Sequence, residues 1–132
     1  MKRNGLVLAG GIIGILRGAF GIFTGVTLFP SLGEFDAVIP GIQALILFEF
    51  ALAAVILIVS IWAIVKANDP TSGSAIRGWG IAIALAGVVD LIWGMTLMGP
   101  QGAASGVGSL IALALIGILL AAGGNALAKN TR

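Results

Sequence analysis

The chain of 132 residues contains no cysteine, no histidine and no tyrosine, and only 9% of its residues are charged. Without cysteine it can form no disulfide and offers no thiolate, and without histidine it lacks the usual ligands of zinc and haem. We therefore expect no cofactor and no metal bound by this chain alone. Because no nucleophile is paired with a base in a recognisable pattern, we also expect that the protein is not an enzyme.

What the chain does contain is apolar surface: 59% of its residues are hydrophobic, and 21 are glycine. Soluble domains carry about 25% charged residues, so a soluble fold of this length could not cover so much apolar area and the solvent must be lipid. The net charge is +2 and the sequence pI is about 9.7. The few basic residues stand at the ends of apolar runs and form no patch, so we expect no nucleic-acid partner.

Four apolar segments predict an all-α integral membrane protein with four transmembrane helices in a single domain, 1–132. The predicted spans are 6–29, 41–65, 76–98 and 107–127. Each exceeds the roughly 20 residues that cross the hydrocarbon core as a helix, and only a helix satisfies its own backbone groups in lipid. The first segment follows a basic start, as a signal peptide would, but it continues through Arg17 to Phe29, so we expect a retained span. Proline-containing loops, PSLGEFDAVIP, NDPTSGS and PQGAASG, are predicted between the spans.

Basic residues flank these segments asymmetrically, on the two termini and the middle connection. They are Lys2, Arg3, Lys66, Arg77, Lys129 and Arg132. The first and third connections contain no lysine or arginine. The positive-inside rule therefore places both termini and the middle connection in the cytoplasm. We expect a multi-pass protein of a prokaryotic plasma or inner membrane.

The first segment carries glycines spaced alternately three and four residues apart, which places them on one stripe of a helix. They are Gly11, Gly14, Gly18, Gly21 and Gly25. Small residues on one face allow helix backbones to approach closely in a membrane. The stripe is therefore interpreted as a helix-packing surface.

The first and third segments resemble each other at an offset of 69 residues, as from Gly11 to Gly80. Seven residues are identical: Gly11, Ile12, Leu16, Gly18, Gly25, Thr27 and Leu28 match Gly80, Ile81, Leu85, Gly87, Gly94, Thr96 and Leu97. This pattern indicates a duplicated two-helix hairpin with halves at about 1–66 and 70–132. The alternative is that two glycine-rich helices converged on one composition. The glycines of the second copy extend the packing surface, and we expect the first span to pack on the third.

Three ionisable residues lie inside predicted spans: Arg17, Glu49 and Asp90. A charge at this depth costs about 2.5–3.5 kcal/mol on insertion scales, so such groups usually face the bundle interior and pair. One interpretation is a structural ion-pair cluster that fixes helix register. Another is a proton or ion site, because one arginine opposite two carboxylates leaves an acid unpaired. A third is that one charge meets a partner subunit. Two carboxylates without histidine predict no metal site.

The function expected from these features is that of a small accessory subunit. The sequence offers no soluble domain, no cofactor ligands and no substrate motif, but much close-packing surface. We therefore predict a membrane subunit that packs against and stabilises or assembles a larger complex, such as respiratory, transport or envelope machinery. The alternative is a homo-oligomeric ion or proton channel or transporter that uses Arg17, Glu49 and Asp90. The expected partners are the lipid bilayer and either other membrane subunits or further copies of the chain.

Overall fold

The computed structural model describes residues 4–129, without the side chains of 32, 35, 98 and 101–106. Within this range the chain is helical and contains no strand. Its helices are α1 (Gly5–Leu28), α2 (Leu32–Val38), α3 (Ile42–Val65), α4 (Gly73–Met98) and α5 (Pro100–Lys129). All but α2 are long and apolar enough to cross a membrane. The prediction of a four-span helical membrane protein is confirmed, whereas Lys2, Arg3 and Arg132, on which the orientation partly depends, lie outside the described residues.

The start of α1 is tied to the end of α3. The side-chain oxygen of Asn4 accepts a hydrogen bond from the backbone N–H of Val7 (3.0 Å), which caps the helix. The backbone N–H of Asn4 donates to the carbonyl of Ala67 (2.9 Å), just beyond α3. Nearby, the guanidinium of Arg77 on α4 donates to the side-chain oxygen of Asn125 on α5 (3.3 Å). We call this end of the bundle the terminal end, and the opposite end the α2 end.

The first connection, predicted as a loop, contains a 3₁₀ turn at Phe29–Ser31 and then the short helix α2. One carboxylate oxygen of Asp36, on α2, accepts from the backbone N–H groups of Gly41 (3.0 Å) and Gln43 (3.3 Å). Gly41 has a φ of 90°, a left-handed conformation that favours glycine. The acidic side chain of the connection therefore caps the N-terminus of α3, where the helix dipole favours a negative charge.

The third connection differs most from prediction, because PQGAASG is helical. Gly99 has a φ of 62° and turns the chain, and α5 begins at once at Pro100. Proline suits the first position of a helix, where its missing N–H would have had no intrahelical partner. In the middle connection a 3₁₀ turn, Pro70–Ser72, leads into α4 at Gly73, three residues earlier than predicted.

The four long helices form two tight antiparallel pairs, α1 with α3 and α4 with α5. Helix α1 also packs on α5, whereas α3 and α4 touch sparsely. Among the described residues α1 and α4 are not packed neighbours, so the expected contact of the first span on the third is wrong. The two helices lie diagonally across the bundle, and each turns its glycines towards its own hairpin partner.

The core of the bundle consists of aliphatic side chains with essentially no exposure. Its largest members are Val7, Ile56, Ile76, Leu113, Ile116, Leu120 and Leu127. The outward faces carry large apolar side chains, for example Leu16 at 67% and Phe23 at 72% exposure. Soluble monomers rarely expose such contiguous apolar area. These faces are suited to lipid, as expected of a multi-pass membrane protein.

Candidate functional site

The three charges predicted inside the spans lie on three different helices in the half of the bundle nearer the α2 end. Asp90, on α4, is 3% exposed, and its Oδ1 atom is buried without a hydrogen-bond partner in the described part of the chain. The carboxyl group of Glu49, on α3, faces that of Asp90 within reach of a shared hydrogen bond and also experiences the charge of Arg17 on α1. The fold therefore brings two acids and one base together from residues far apart in the chain.

A cavity of about 380 Å³ opens beside these charges, and we call it the charged cavity. Helices α1, α3 and α5 line it. Its lining residues are Arg17, Phe20, Gly21, Thr24, Gly25, Leu28, Ile46, Glu49, Phe50, Gly108, Ser109 and Ala112. The hydroxyl of Ser109 is buried without a partner among the described residues. The cavity thus combines a cation, a carboxylate and two hydroxyl-bearing side chains inside a largely apolar wall, and Asp90 lies behind Glu49.

The side chain of Arg17 extends along its own helix towards the α2 end. Its Nη1 atom lies 2.8 Å from where a Cβ of Gly21 would be, so the guanidinium lies against the face of α1 that this glycine leaves open. In the described part of the chain Arg17 forms no contact ion pair with either carboxylate, and its influence on Glu49 acts across the cavity. Gly21 therefore accommodates a charge as well as packing a helix.

The sparse contact between α3 and α4 is bridged next to the acids by an aromatic pair. The ring centroids of Phe48 and Trp93 are 5.4 Å apart and the rings are tilted by 42°. Phe48 precedes Glu49, and Trp93 is one turn beyond Asp90. The aromatic pair thus bridges α3 and α4 at the level of the two carboxyl groups.

The predicted packing glycines of α1 lie against α3. A methyl group at Gly11 would lie 2.5 Å from Ile64 Cγ1, and one at Gly18 would lie 2.9 Å from the carbonyl oxygen of Ala53. Gly14 faces the hydroxyl of Ser60, Gly21 faces Ala53, and Gly25 faces Phe50. The glycine stripe of α1 is therefore covered by α3, its partner helix in the same hairpin.

The predicted glycines of α4 lie against α5 and form a closer seam. A methyl at Gly80 would lie 2.6 Å from the backbone nitrogen of Ala121 and from the carbonyl oxygen of Gly117. Gly87 faces Leu110 and Leu113. Gly94 is buried. Backbone atoms therefore meet backbone atoms along this seam, as small residues permit in membranes.

Sequence reasoning missed three glycines of this seam and the buried hydroxyl of Ser109. Gly73, Gly117 and Gly124 would each place a methyl group on backbone atoms of the facing helix. The signal that could have found them is a seven-residue spacing, which keeps residues on one seam of a helix pair. It joins Gly73, Gly80, Gly87 and Gly94 in α4, and Gly117 and Gly124 in α5. The buried Ser109 carries no comparable signal, because single serines are common in membrane helices.

A second, apolar groove of about 340 Å³ adjoins the charged cavity on the α1–α3 side. Its lining residues are Gly25, Val26, Phe29, Pro30, Ile46, Leu47 and Phe50. Three of these residues, Gly25, Ile46 and Phe50, line both spaces. We call it the apolar groove; its walls offer no charged side chain.

The acids outside the spans have local structural roles. Asp69 accepts hydrogen bonds from the hydroxyl (2.6 Å) and the backbone N–H (3.0 Å) of Thr71. These bonds, that of the hydroxyl first, lower the pKa of the exposed Asp69 carboxyl. Asp69 thereby begins the 3₁₀ turn before α4, as Asp36 caps α3. Neither acid takes part in the charged cavity.

The charged cavity is suited to holding a proton or a small charged group. Two facing carboxyl groups bridge readily through one proton, and a nearby guanidinium offsets the negative charge that remains when the proton leaves. Among residues 4–129 no three acidic, histidine or cysteine side chains gather as metal ligands would. No protein-family model matches the chain, and neither curated proteins nor solved structures give a match.

Proposed function

We propose that the protein binds a proton within the membrane at the Glu49–Asp90 pair and translocates protons or ions through this site, with Arg17 as the counter-charge. The observation that carries the proposal is the buried Asp90, whose Oδ1 has no hydrogen-bond partner among the described residues although burial of a bare carboxylate is costly. Structural carboxylates inside proteins are normally fully hydrogen-bonded. An acid left partly unsatisfied next to a second acid is typical of a site that changes its protonation state.

The access to this site supports a transporter more than an open pore. The charged cavity reaches Glu49 from the α2 half, and one to two turns further the core is closed by Ile56, Leu113 and Ile116, each fully buried. A proton taken up from the α2 end therefore cannot cross to the other side through the bundle as it stands. Translocation requires a second state in which this plug opens.

Infrared difference spectroscopy tests the proton site directly. Purified protein in lipid should show the carbonyl stretch of a protonated carboxyl group that disappears on raising the pH and is absent in Asp90→Asn. Glu34→Gln, in the exposed α2, is the matched control and should leave the band unchanged. Proteoliposomes should also show proton uptake driven by a potassium diffusion potential, lost in Asp90→Asn. If no carbonyl band of a protonated carboxyl group changes with pH, the proposal is refuted.

The accessory-subunit function remains the second candidate, and one observation favours it. Helix α1 presents two exposed aromatic side chains one turn apart, Phe20 at 68% and Phe23 at 72% exposure. Such a pair offers stacking surface to another membrane chain as well as to lipid. Purification from native membranes in mild detergent should then bring down larger subunits, and the yield of those subunits should fall with Phe23→Ala. Recovery of the chain alone, or only with copies of itself, would count against this candidate.

We further propose that both termini and the middle connection face the cytoplasm of a prokaryotic plasma or inner membrane, which makes the α2 end external. The distribution of Lys66, Arg77 and Lys129 supports this orientation. Because the chain has no native cysteine, single cysteines at Gly33 and Thr71 report it cleanly. A membrane-impermeant maleimide applied to intact cells should label Gly33→Cys and leave Thr71→Cys unlabelled; the reverse result would invert the orientation.

The duplicated hairpin is also a proposal, and the packing supports it. Gly11 and Gly18 of α1 contact α3, and the matching Gly80 and Gly87 of α4 contact α5. The hydroxyls of the matching Thr27 and Thr96 each bond to the carbonyl four residues earlier, both at 2.8 Å. Equivalent positions thus make equivalent contacts in both pairs. Co-expression of the two halves as separate chains tests this, since each pair should insert and reassociate.

A further inference from the structure

The charged cavity and the apolar groove adjoin each other, and together we call them the joined spaces. Phe50 stands between them and lines both, with Gly25 and Ile46. The far wall of the groove is formed by Val26 and Phe29, which are 60% and 65% exposed, so the groove opens sideways towards lipid. Volumes of about 380 and 340 Å³ fall within the range of small-molecule sites.

The charges around this space favour a positively charged occupant. Helix α1 contributes Arg17, α3 contributes Glu49 and α4 contributes Asp90, whereas α5 contributes only the uncharged Ser109 among the described lining residues. With both acids ionised the site has a net charge of −1, so one monovalent cation or one proton neutralises it. Because the guanidinium of Arg17 lies along Gly21, it occupies the α1 wall and leaves the Glu49 side of the cavity open.

Aromatic side chains line the path along which such a cation would enter. Phe20 and Phe50 border the charged cavity, and Phe50 and Phe29 border the groove. A cation over an aromatic face is attracted by the ring, most strongly where water is excluded. An anion would meet Arg17 but also Glu49 and Asp90, and a neutral molecule could not take the place of the proton that neutralises the site.

We propose that the joined spaces bind a lipophilic monovalent organic cation taken from the membrane, with its charge at Glu49 and its apolar groups in the groove, in competition with the proton of the carboxyl pair. This inference rests on the proposed proton site and names its second ligand. In the exchange the cation replaces one proton, which leaves to water, so charge is conserved. Export of such a cation would then be driven by proton entry at the same site.

Binding of tetraphenylphosphonium to the purified protein in lipid nanodiscs tests the inference. Tetraphenylborate is the matched control ligand, because it has nearly the same shape and the opposite charge. We expect saturable binding of the phosphonium that weakens as the pH falls, and no saturable binding of the borate. Phosphonium addition should also release protons into weakly buffered solution.

Variants separate the parts of the site. Glu49→Gln should weaken phosphonium binding about tenfold, which corresponds to the loss of about 1.4 kcal/mol. Arg17→Gln, which removes the like charge, should strengthen it. Glu34→Gln should change nothing. Saturable borate binding, or phosphonium binding equal in Glu49→Gln and the native protein, would overturn the inference and mean partition into lipid or an anion site. If the carboxyl band titrates as proposed but the phosphonium does not bind, the inference alone fails; if no band titrates, the proposed function fails whatever binds.

Discussion

The α4–α5 seam makes a sharp stability prediction at Gly80. In Gly80→Ala the new methyl group would lie 2.6 Å from two backbone atoms of α5, the nitrogen of Ala121 and the carbonyl oxygen of Gly117, and 3.0 Å from Leu120 Cβ. Unstrained non-bonded contacts of carbon lie at about 3.5–4.0 Å. The two helices must therefore separate by about 1 Å, since backbone cannot rotate away as a flexible side chain can.

The magnitude follows from two opposing effects. Overpacking typically costs about 1–3 kcal/mol, and the upper half of this range is expected because the obstructing atoms are backbone. Alanine also gains about 0.5–1 kcal/mol over glycine in a helix interior. Gly78→Ala isolates this gain, because Gly78 lies two residues away on the same helix and has no atom within 4 Å of a built Cβ. The difference between the two variants in the free energy of unfolding should thus be about 2–3 kcal/mol.

Unfolding in bicelles, followed by steric trapping or by titration with a denaturing detergent, measures this difference. Gly117→Ala, from the opposite side of the same contact, should cost a similar amount, and the double variant should cost less than the sum because one separation relieves both clashes. Equal stability of Gly80→Ala and Gly78→Ala would refute the close seam. So would full additivity of the Gly80 and Gly117 substitutions.

Three further predictions concern single hydrogen-bonding groups. Asp36→Ala should lower the free energy of unfolding by about 1 kcal/mol, because α3 loses its N-terminal cap, and amide exchange at the start of α3 should accelerate. Because the pKa of Asp69 is lowered in the folded protein, its bonds to Thr71 are present above the unfolded pKa of about 3.9 and are lost as the pH falls through the lower folded value. Amide exchange at Thr71 should accelerate over that acidic window. Asp69→Ala should abolish this dependence of the exchange on pH. Ser60→Ala should be tolerated, because the buried hydroxyl has no hydrogen-bond partner in the described part of the chain. It should also partly rescue Gly14→Ala in the same unfolding assay, whereas an equal loss of stability with and without Ser60→Ala would place the clash elsewhere.

The spans could be predicted from the sequence because lipid imposes a simple length and composition rule on them. The helical start at Pro100 could not, since proline and small polar residues are as compatible with the first turns of a helix as with a loop. The glycine stripe indicated which face of α1 packs but not which helix it packs against. Any helix with small or flexible side chains on one face allows the close approach of backbones that the stripe requires. In the structure that partner is α3, and α4 lies diagonally opposite α1.

For the candidate site too, the sequence identifies the residues, whereas their arrangement depends on how the helices pack. Arg17, Glu49 and Asp90 could be singled out because each is costly in lipid and so must face inward. Their arrangement could not be predicted as it is found, with the carboxyls together and the guanidinium apart. That arrangement depends on the diagonal position of α4, which brings Asp90 to α3, and on the space that Gly21 leaves for Arg17.

The charged cavity lies towards the α2 end of the α1–α3 pair, where Gly25 faces the ring of Phe50, which borders both open spaces. At the other end of the glycine stripe Gly11 faces Ile64, and fully buried aliphatic side chains close that half of the bundle. The contact of α3 with α4 is sparse and lies beside the two carboxyl groups. Under the proposed function the change of access would therefore occur along this contact, where the aromatic pair and the shared proton join the two helix pairs.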